Sequence, residues 1–347
     1  MNKEYKAALE CAHRNIPFAL FAYPHDTVFR FFANPGGIPR EGCPYFIVNN
    51  WNTTFEESER IYEELDADGV LDSLPKLPLS AQLPSIQVES TSKSSYIEKV
   101  TRLIETLKQR GGKTVISRII AANNVELDLM CLIERQFASY PDTFRFLYFT
   151  PSTGLWMGTS PELLFDFDQT TREFHTMSLA GTRVTDLSSW DGKNIHEQNL
   201  VAEFISNLLK KHGATFEMKR CADVQFKPVC HICDLFSGTL PAASCTALLD
   251  ELSPTPALSG FPVATAIDEI SLIEDHNREC YGGYVGYVTP SALKCYVNLR
   301  SVKLCDSGYC IFAGGGVTAQ SNPEDEWNET ENKTMVLRNN IAEAMVK

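Results

Sequence analysis

A chain of 347 residues with 44% hydrophobic and 10% aromatic side chains has ample material for a large core. Its formal charge of -13, with no basic run carrying interleaved aromatics, excludes a nucleic-acid surface but not a small anion held by a metal and a few placed cations. No apolar run is long enough to span a bilayer, Met1 to Glu10 lacks the core of a signal peptide, and eleven scattered cysteines read as reduced thiols, so the expected location is the cytoplasm.

Residues 1–71 carry strand-like runs, Phe18 to Ala22 and Tyr45 to Val48, too few for a core of their own and expected to extend the main sheets. Segment 72–95, with Pro75, Pro78, Pro84 and several serines, reads as a linker or surface crossing, and region 93–347 carries the chemistry. The whole is expected to form one compact domain. From Tyr96 to Gln109, Ile97, Val100, Ile104 and Leu107 recur at helical spacing, and Gly111-Gly112 provides a stop. A strand follows from Lys113 to Ile120, with Lys113, Val115, Ser117 and Ile119 on one face. Phe146 to Phe149, Leu155 to Met157, Glu162 to Phe167 and Phe174 to Leu179 predict an antiparallel meander. A helix is predicted from Ile195 to Lys211, with Val201, Phe204, Ile205, Leu208 and Leu209 on its buried stripe and Glu197 four residues before Val201 on the same face. Strands are predicted at Gly283 to Val288, Leu293 to Leu304 and Tyr309 to Ala313. The last helix starts near Pro323, capped by Ser321 or Asn322, and lines up Glu326, Glu329, Lys333 and Val336. Strands and helices do not alternate regularly, so the fold class is α+β with large, mostly antiparallel sheets.

Inward-facing carboxylates without partners are costly, which singles out Glu197 and Glu329 on their helices; two such glutamates suit magnesium, which takes its other ligands from water and substrate. By periodicity alone each also reads as a solvated helix glutamate, and Lys113 and Lys333 as ion-pair partners at a surface. A desolvated lysine at position 113 can instead act as a base and a buried Glu162 as an acid. Gly314-Gly315-Gly316 reads as a turn after a strand, either plain or offering N–H groups to an anion, and lacks dinucleotide-binding spacing. Cys230-His231-Ile232-Cys233 admits a zinc reading, but no second ligand pair follows at suitable spacing, and buried free cysteines with a core histidine are the simpler alternative.

Taken in order, the motifs are Lys113-Thr114-Val115-Ile116-Ser117-Arg118, Ser160-Pro161-Glu162-Leu163-Leu164, Leu179-Ala180-Gly181-Thr182-Arg183 and His196-Glu197. Then come Pro254-Thr255-Pro256-Ala257-Leu258-Ser259-Gly260-Phe261-Pro262, Arg278, Tyr281-Gly282-Gly283, Arg300, the glycine run, and Ser321-x-Pro323-x-x-Glu326-Trp327-x-Glu329-x-x-x-Lys333. Over about residues 93–347 this series resembles the chorismate-utilising enzymes, the family of isochorismate, salicylate, anthranilate and aminodeoxychorismate synthases. The resemblance implies two large antiparallel sheets packed together with helices outside, and chorismate as the small-molecule substrate. It implies Lys113 as the base that activates water for attack at ring C2, and Glu162 as the acid that protonates the departing C4 hydroxyl. Glu197 and Glu329 match ligands of Mg2+, which holds the ring carboxylate, and Glu326 supports the metal shell. Tyr281, Arg300 and the backbone of Gly314, Gly315 and Gly316 match the grip on the enolpyruvyl carboxylate. Gly181, Thr182, His231 and Lys333 match further lining residues.

Ammonia-using relatives carry glutamine where this chain has Lys113 and work with a glutaminase, so water is the expected nucleophile and no glutaminase subunit, nucleic acid or membrane partner is expected. Ala257 and Leu258 look like the isochorismate branch, feeding menaquinone or a siderophore. Salicylate synthase, which goes on to eliminate pyruvate, and a non-catalytic chorismate-binding relative are the alternatives. Ser253, Asp234 and Gln198 depart from the family pattern, which usually has histidine at 253, threonine or serine at 234, and often histidine at 198.

Overall fold

Alternating and continuous apolar runs joined by short turns favour antiparallel pairing, and the chain builds two sheets in that way. A computed structural model describes residues 3–34, 42–74, 83, 88–184, 189–226 and 228–346. The first sheet runs Gly260–Phe261, Lys113–Asn123, Gly308–Thr318, Ser301–Cys305, Gly154–Ser160, Phe144–Thr150, Phe18–Ala22 and Arg30–Ala33. The second runs Thr215–Arg220, Val229–Thr239, Glu173–Val184, Leu163–Asp168, Ala292–Val297, Tyr284–Val288, Tyr45–Val48 and Glu59–Tyr62, with Val224–Phe226 paired beside it. Every pairing between these strands is antiparallel. The sheets meet through an aromatic core: Phe21 of the first lies 5.1 Å from Phe46 of the second, and Phe144 stacks on Tyr296 at 4.3 Å. Such a pair adds about 0.5–1.5 kcal/mol beyond the burial of its rings.

Helices pack against these sheets. Lys93–Arg110 is capped by Ser92, whose hydroxyl accepts from Ser95 N, and it stops at Gly111. Its buried stripe is Tyr96, Val100, Leu103, Ile104 and Leu107, so Tyr96 takes the place expected of Ile97. Gly192–Lys211 lies on the strand Glu173–Val184, burying Val201, Ile205 and Leu209. Pro323–Ala344 starts as predicted, with Asn322 accepting from Glu324 N and Asp325 N and Pro323 in the first turn. It rests on the strand Gly308–Thr318 and on the helices Lys93–Arg110 and Leu129–Ser139. No helix among the described residues is long and apolar enough to cross a membrane. Pro75, Pro78 and Pro84 lie outside the described residues.

Three predicted elements are corrected. Leu293 to Leu304 is not one strand but two, Ala292–Val297 and Ser301–Cys305, which belong to different sheets. The β-branched and apolar residues on both sides hid the break at Arg300, which has a positive φ of 50°. The three glycines form no turn; they continue the strand, with Gly314, Gly315 and Gly316 opposite Ser117, Ile116 and Val115. Glu162 precedes the strand Leu163–Asp168, in the link from Gly154–Ser160. Glu162 and Arg300 therefore both stand where the chain crosses from one sheet to the other.

Candidate active site

A cleft is lined by both sheets, both crossings and the three helices Leu129–Ser139, Gly192–Lys211 and Pro323–Ala344, the concave setting in which small molecules bind. Alternation along Lys113–Asn123 turns Lys113 and Val115 into it. Thr114 faces away to Arg110 and Glu269. Glu162 is only 2% exposed and its Oε1 has no hydrogen-bond partner among the described residues. Burial pushes its carboxyl up to about 8, although the ammonium groups of Lys113 and Lys333 pull the other way. A carboxyl that keeps its proton at neutral pH is prepared to donate it.

Next to Lys113 lies an acidic cluster. Glu197, one turn into its helix, faces inward as the position of Val201 required, with Oε2 3.6 Å from Lys113 Nζ. Glu329 pairs with Lys333 at 2.7 Å, and Glu326 with Lys193, whose Nζ also lies 3.7 Å from Glu197 Oε1. Burial pushes the Glu326 carboxyl up to about 7, reinforced by the charge of Glu329. Burial also opposes ionisation of Glu329, but Lys333 and Lys193 outweigh it and hold that carboxyl below its ordinary range. Glu197 Oε1 and Glu326 Oε2 are buried without hydrogen-bond partners among the described residues. The unpartnered buried oxygen of Glu197, with the Glu329 carboxylate lining the same cleft, fits a divalent cation. No three His, Cys, Asp or Glu side chains among the described residues stand together so as to hold an ion by themselves. An ion here therefore needs oxygens from water or from a bound carboxylate. The zinc reading of Cys230 to Cys233 gains no support, since both thiols are free and His231 lines the cleft with its ring on a backbone carbonyl.

At the other end the cleft is cationic. Arg300 donates to the Lys333 carbonyl (Nη1, 3.2 Å), to His231 Nε2 (Nη2, 3.3 Å) and to the Tyr140 hydroxyl. His231 Nδ1 lies 3.0 Å from the Gly181 carbonyl. A carbonyl only accepts, so Nδ1 carries the proton and Nε2 is free to receive Arg300. Burial, then the charges of Arg300 and Lys333, push the imidazole down to about 3, so it is neutral. Arg300 thus presents a half-buried charge whose hydrogen-bond acceptors are all neutral, an arrangement suited to an anion. Beside it Tyr281 stacks on Phe312 at 5.6 Å and accepts from the Gly314 N–H, and burial pushes its phenol up to about 12.

The glycines serve this geometry by having no side chains. A Cβ at Gly316 would sit 2.6 Å from Lys113 Cε and 3.1 Å from Glu197 Oε2, closing the space those groups occupy. Gly314 turns its carbonyl to Lys333 Nζ at 2.9 Å. Gly315 faces the opposite side of the strand, toward Glu326 and Tyr96, and does not line the cleft, and nor does Glu326. The remaining candidates converge: Gly181 and Thr182 on one wall, Ala257 and Leu258 on another, with Glu197, Glu329 and Lys333 beside them. Arg278 stands behind the wall, holding the carbonyls of Leu258 and Val115. Tyr140 and Lys193 were not singled out in the sequence. Lys193 had a signal in its spacing of four from Glu197; Tyr140, at a helix end before Pro141, had none.

Three kinds of comparison bear on this site. A family model described as chorismate binding enzyme matches residues 39–342. Isochorismate synthase EntC of Escherichia coli is 30% identical over 242 residues, 65% of this chain and 61% of that protein. The chain thus matches about three fifths of that relative's length. Isochorismate synthase MenF of Escherichia coli is 25% identical over 305 residues, 82% of this chain and 70% of that protein. The solved structure of Escherichia coli MenF, described as menaquinone-specific, superposes with a TM-score of 0.76 at 20% identity, covering 96% of this chain and 91% of the other. Anthranilate synthase component I from Streptococcus pneumoniae superposes with a TM-score of 0.68 at 16% identity, covering 93% and 92%. At these identities the superpositions establish the fold.

Proposed function

This chain belongs to the chorismate-binding enzyme family, and from that premise we propose that it is an isochorismate synthase, interconverting chorismate and isochorismate with magnesium. The observation that carries the reading is Glu162, a buried carboxyl protonated at neutral pH, in one cleft with a lysine and with a half-buried guanidinium whose hydrogen-bond acceptors are all neutral. Lys113 takes a proton from water as the oxygen bonds to ring C2, the ring double bond shifts, and Glu162 gives its proton to the C4 hydroxyl as that bond breaks. One water enters and one leaves, so the reaction is an isomerisation. Arg300 and Tyr281 hold the enolpyruvyl carboxylate. Glu197 and Glu329 would hold magnesium, with Glu326 behind them; bound magnesium neutralises and orients the ring carboxylate.

We assign the product to menaquinone or siderophore supply, since the menaquinone-specific MenF and the vibriobactin-specific isochorismate synthase of Vibrio cholerae both match the chain. The deciding experiment is product identification after incubation with chorismate and magnesium. Isochorismate is expected; salicylate with pyruvate as the main products identifies a lyase instead, and tight magnesium-dependent binding without turnover identifies a binding protein. Glu197→Gln raises the magnesium concentration for half-maximal activity by about tenfold or more, measured by titrating the metal at saturating chorismate. Wild-type activity of that variant at low magnesium removes Glu197 from the metal shell.

A further inference from the structure

The anion end of the cleft is shaped by a bulge, and the bulge is held from behind by the helix that carries Glu197. In the pairing of Glu173–Val184 with Val229–Thr239, His231 lies opposite Thr182 and Ile232 opposite Ala180, so Gly181 is the extra residue. Its φ is 69°, and a Cβ there would come within 2.9 Å of the Asn194 carbonyl oxygen, so glycine is required on both counts. Asn194 and Gln198, one helical turn apart, take the amides on either side of it: Thr182 N donates to Asn194 Oδ1 at 2.7 Å and Ala180 N to Gln198 Oε1 at 2.8 Å. With both flanking amides pinned, the Gly181 carbonyl is left facing His231 Nδ1.

The direction of the Gln198 amide is itself imposed. Its nitrogen donates to Asp234 Oδ2 and to Ser178 Oγ, each at 2.7 Å. A carboxylate only accepts, so the NH2 must face Asp234 and the carbonyl must face Ala180. Asp234, 1% exposed, is held in turn by the Arg220 guanidinium near the surface. The departures from the family pattern at positions 198 and 234 thus meet in one hydrogen bond, each supplying what the other requires.

We propose that Gln198 is a positioning residue for the anion grip: oriented by Asp234, it pins the Gly181 bulge, which fixes His231 in its Nδ1–H form and so sets the guanidinium of Arg300. The kinetic consequence rests on the reading that Arg300 binds the substrate carboxylate; the consequence for the His231 tautomer does not. Two variants test the proposal. Gln198→Met keeps length and volume without the amide, and Asp234→Asn keeps shape without the obligate acceptor. Ring 15N shifts of histidine-labelled protein report the tautomer, with His231→Gln identifying the signal among the seven histidines.

The wild type is expected as the Nδ1–H form alone and Gln198→Met as a mixture of tautomers, with KM for chorismate raised about tenfold and kcat within about twofold. Asp234→Asn moves both quantities the same way by less. A folded Gln198→Met protein with the wild-type tautomer and KM overturns the proposal. If Gln198→Met does not fold, an unaltered tautomer and KM in Asp234→Asn does so. A tautomer shift in protein that makes no isochorismate supports the clamp and counts against the proposed activity.

Discussion

Glu162→Gln lowers kcat by about 10²- to 10⁴-fold while chorismate binding survives, because the amide keeps the shape of the carboxyl but has no proton of useful acidity for the departing hydroxyl. The same burial that arms Glu162 sets the pH dependence. Turnover that needs its proton falls as pH rises through about 8, and that alkaline limb is read from kcat against pH in the wild type. Stability follows with a definite sign. Between the ordinary carboxyl range near pH 4.5 and about pH 8, the folded chain keeps a proton that the unfolded chain has released. Stability therefore declines as pH rises through that window. The glutamine variant escapes this penalty and gains up to about 3 kcal/mol at pH 7, with little gain below pH 4.5. Denaturant unfolding of both proteins at the two pH values measures the difference. A variant with wild-type turnover, or one whose gain in stability over the wild type is no larger at pH 7 than at pH 4, removes Glu162 from the acid role.

Lys113→Ala is expected to abolish water addition, again by about 10²- to 10⁴-fold in kcat, with magnesium-dependent binding of chorismate largely intact. Binding is expected to survive because the substitution leaves the proposed anion grip at Arg300 untouched, and because Glu197, no longer facing an ammonium at 3.6 Å, keeps its proposed place for a cation. Calorimetric titration of chorismate with and without magnesium separates binding from turnover. Unchanged turnover removes Lys113 as the base. Gly316→Ala acts in the same direction, since its methyl would occupy the space of the Lys113 side chain.

Much of the chemistry was legible in order along the chain. The alternation after Gly111-Gly112 put Lys113 and Val115 on one face, and the helix phase shared by Glu197 and Val201 turned that carboxylate inward, as observed. The start at Asn322-Pro323 was legible for the same reason: caps and periodicities are set by neighbours within a turn or two. What failed depended on partners far away in sequence. The segment from Leu293 to Leu304 looks continuous because both halves are apolar, yet each half pairs in a different sheet and Arg300 sits at the parting. The glycine run looks like a turn until the strand Lys113–Asn123 is laid beside it, and only that pairing shows that Gly315 turns its back on the cleft.

By itself, then, the sequence determined the inward faces of Lys113 and Glu197, the cap of the last helix at Asn322, and that Lys113, Glu162, Glu197, Arg300, Glu329 and Lys333 stand in the order of one family's motifs. Only the tertiary structure decided what each of those groups experiences. Burial from packing keeps the Glu162 proton at neutral pH, the Gly181 bulge sets the tautomer of His231, and the crossing between sheets leaves Arg300 charged among neutral acceptors. The reason is physical: residue type and spacing fix the donors, acceptors and charges a chain can offer, whereas protonation state and hydrogen-bond direction depend on desolvation and on partners brought together from distant segments.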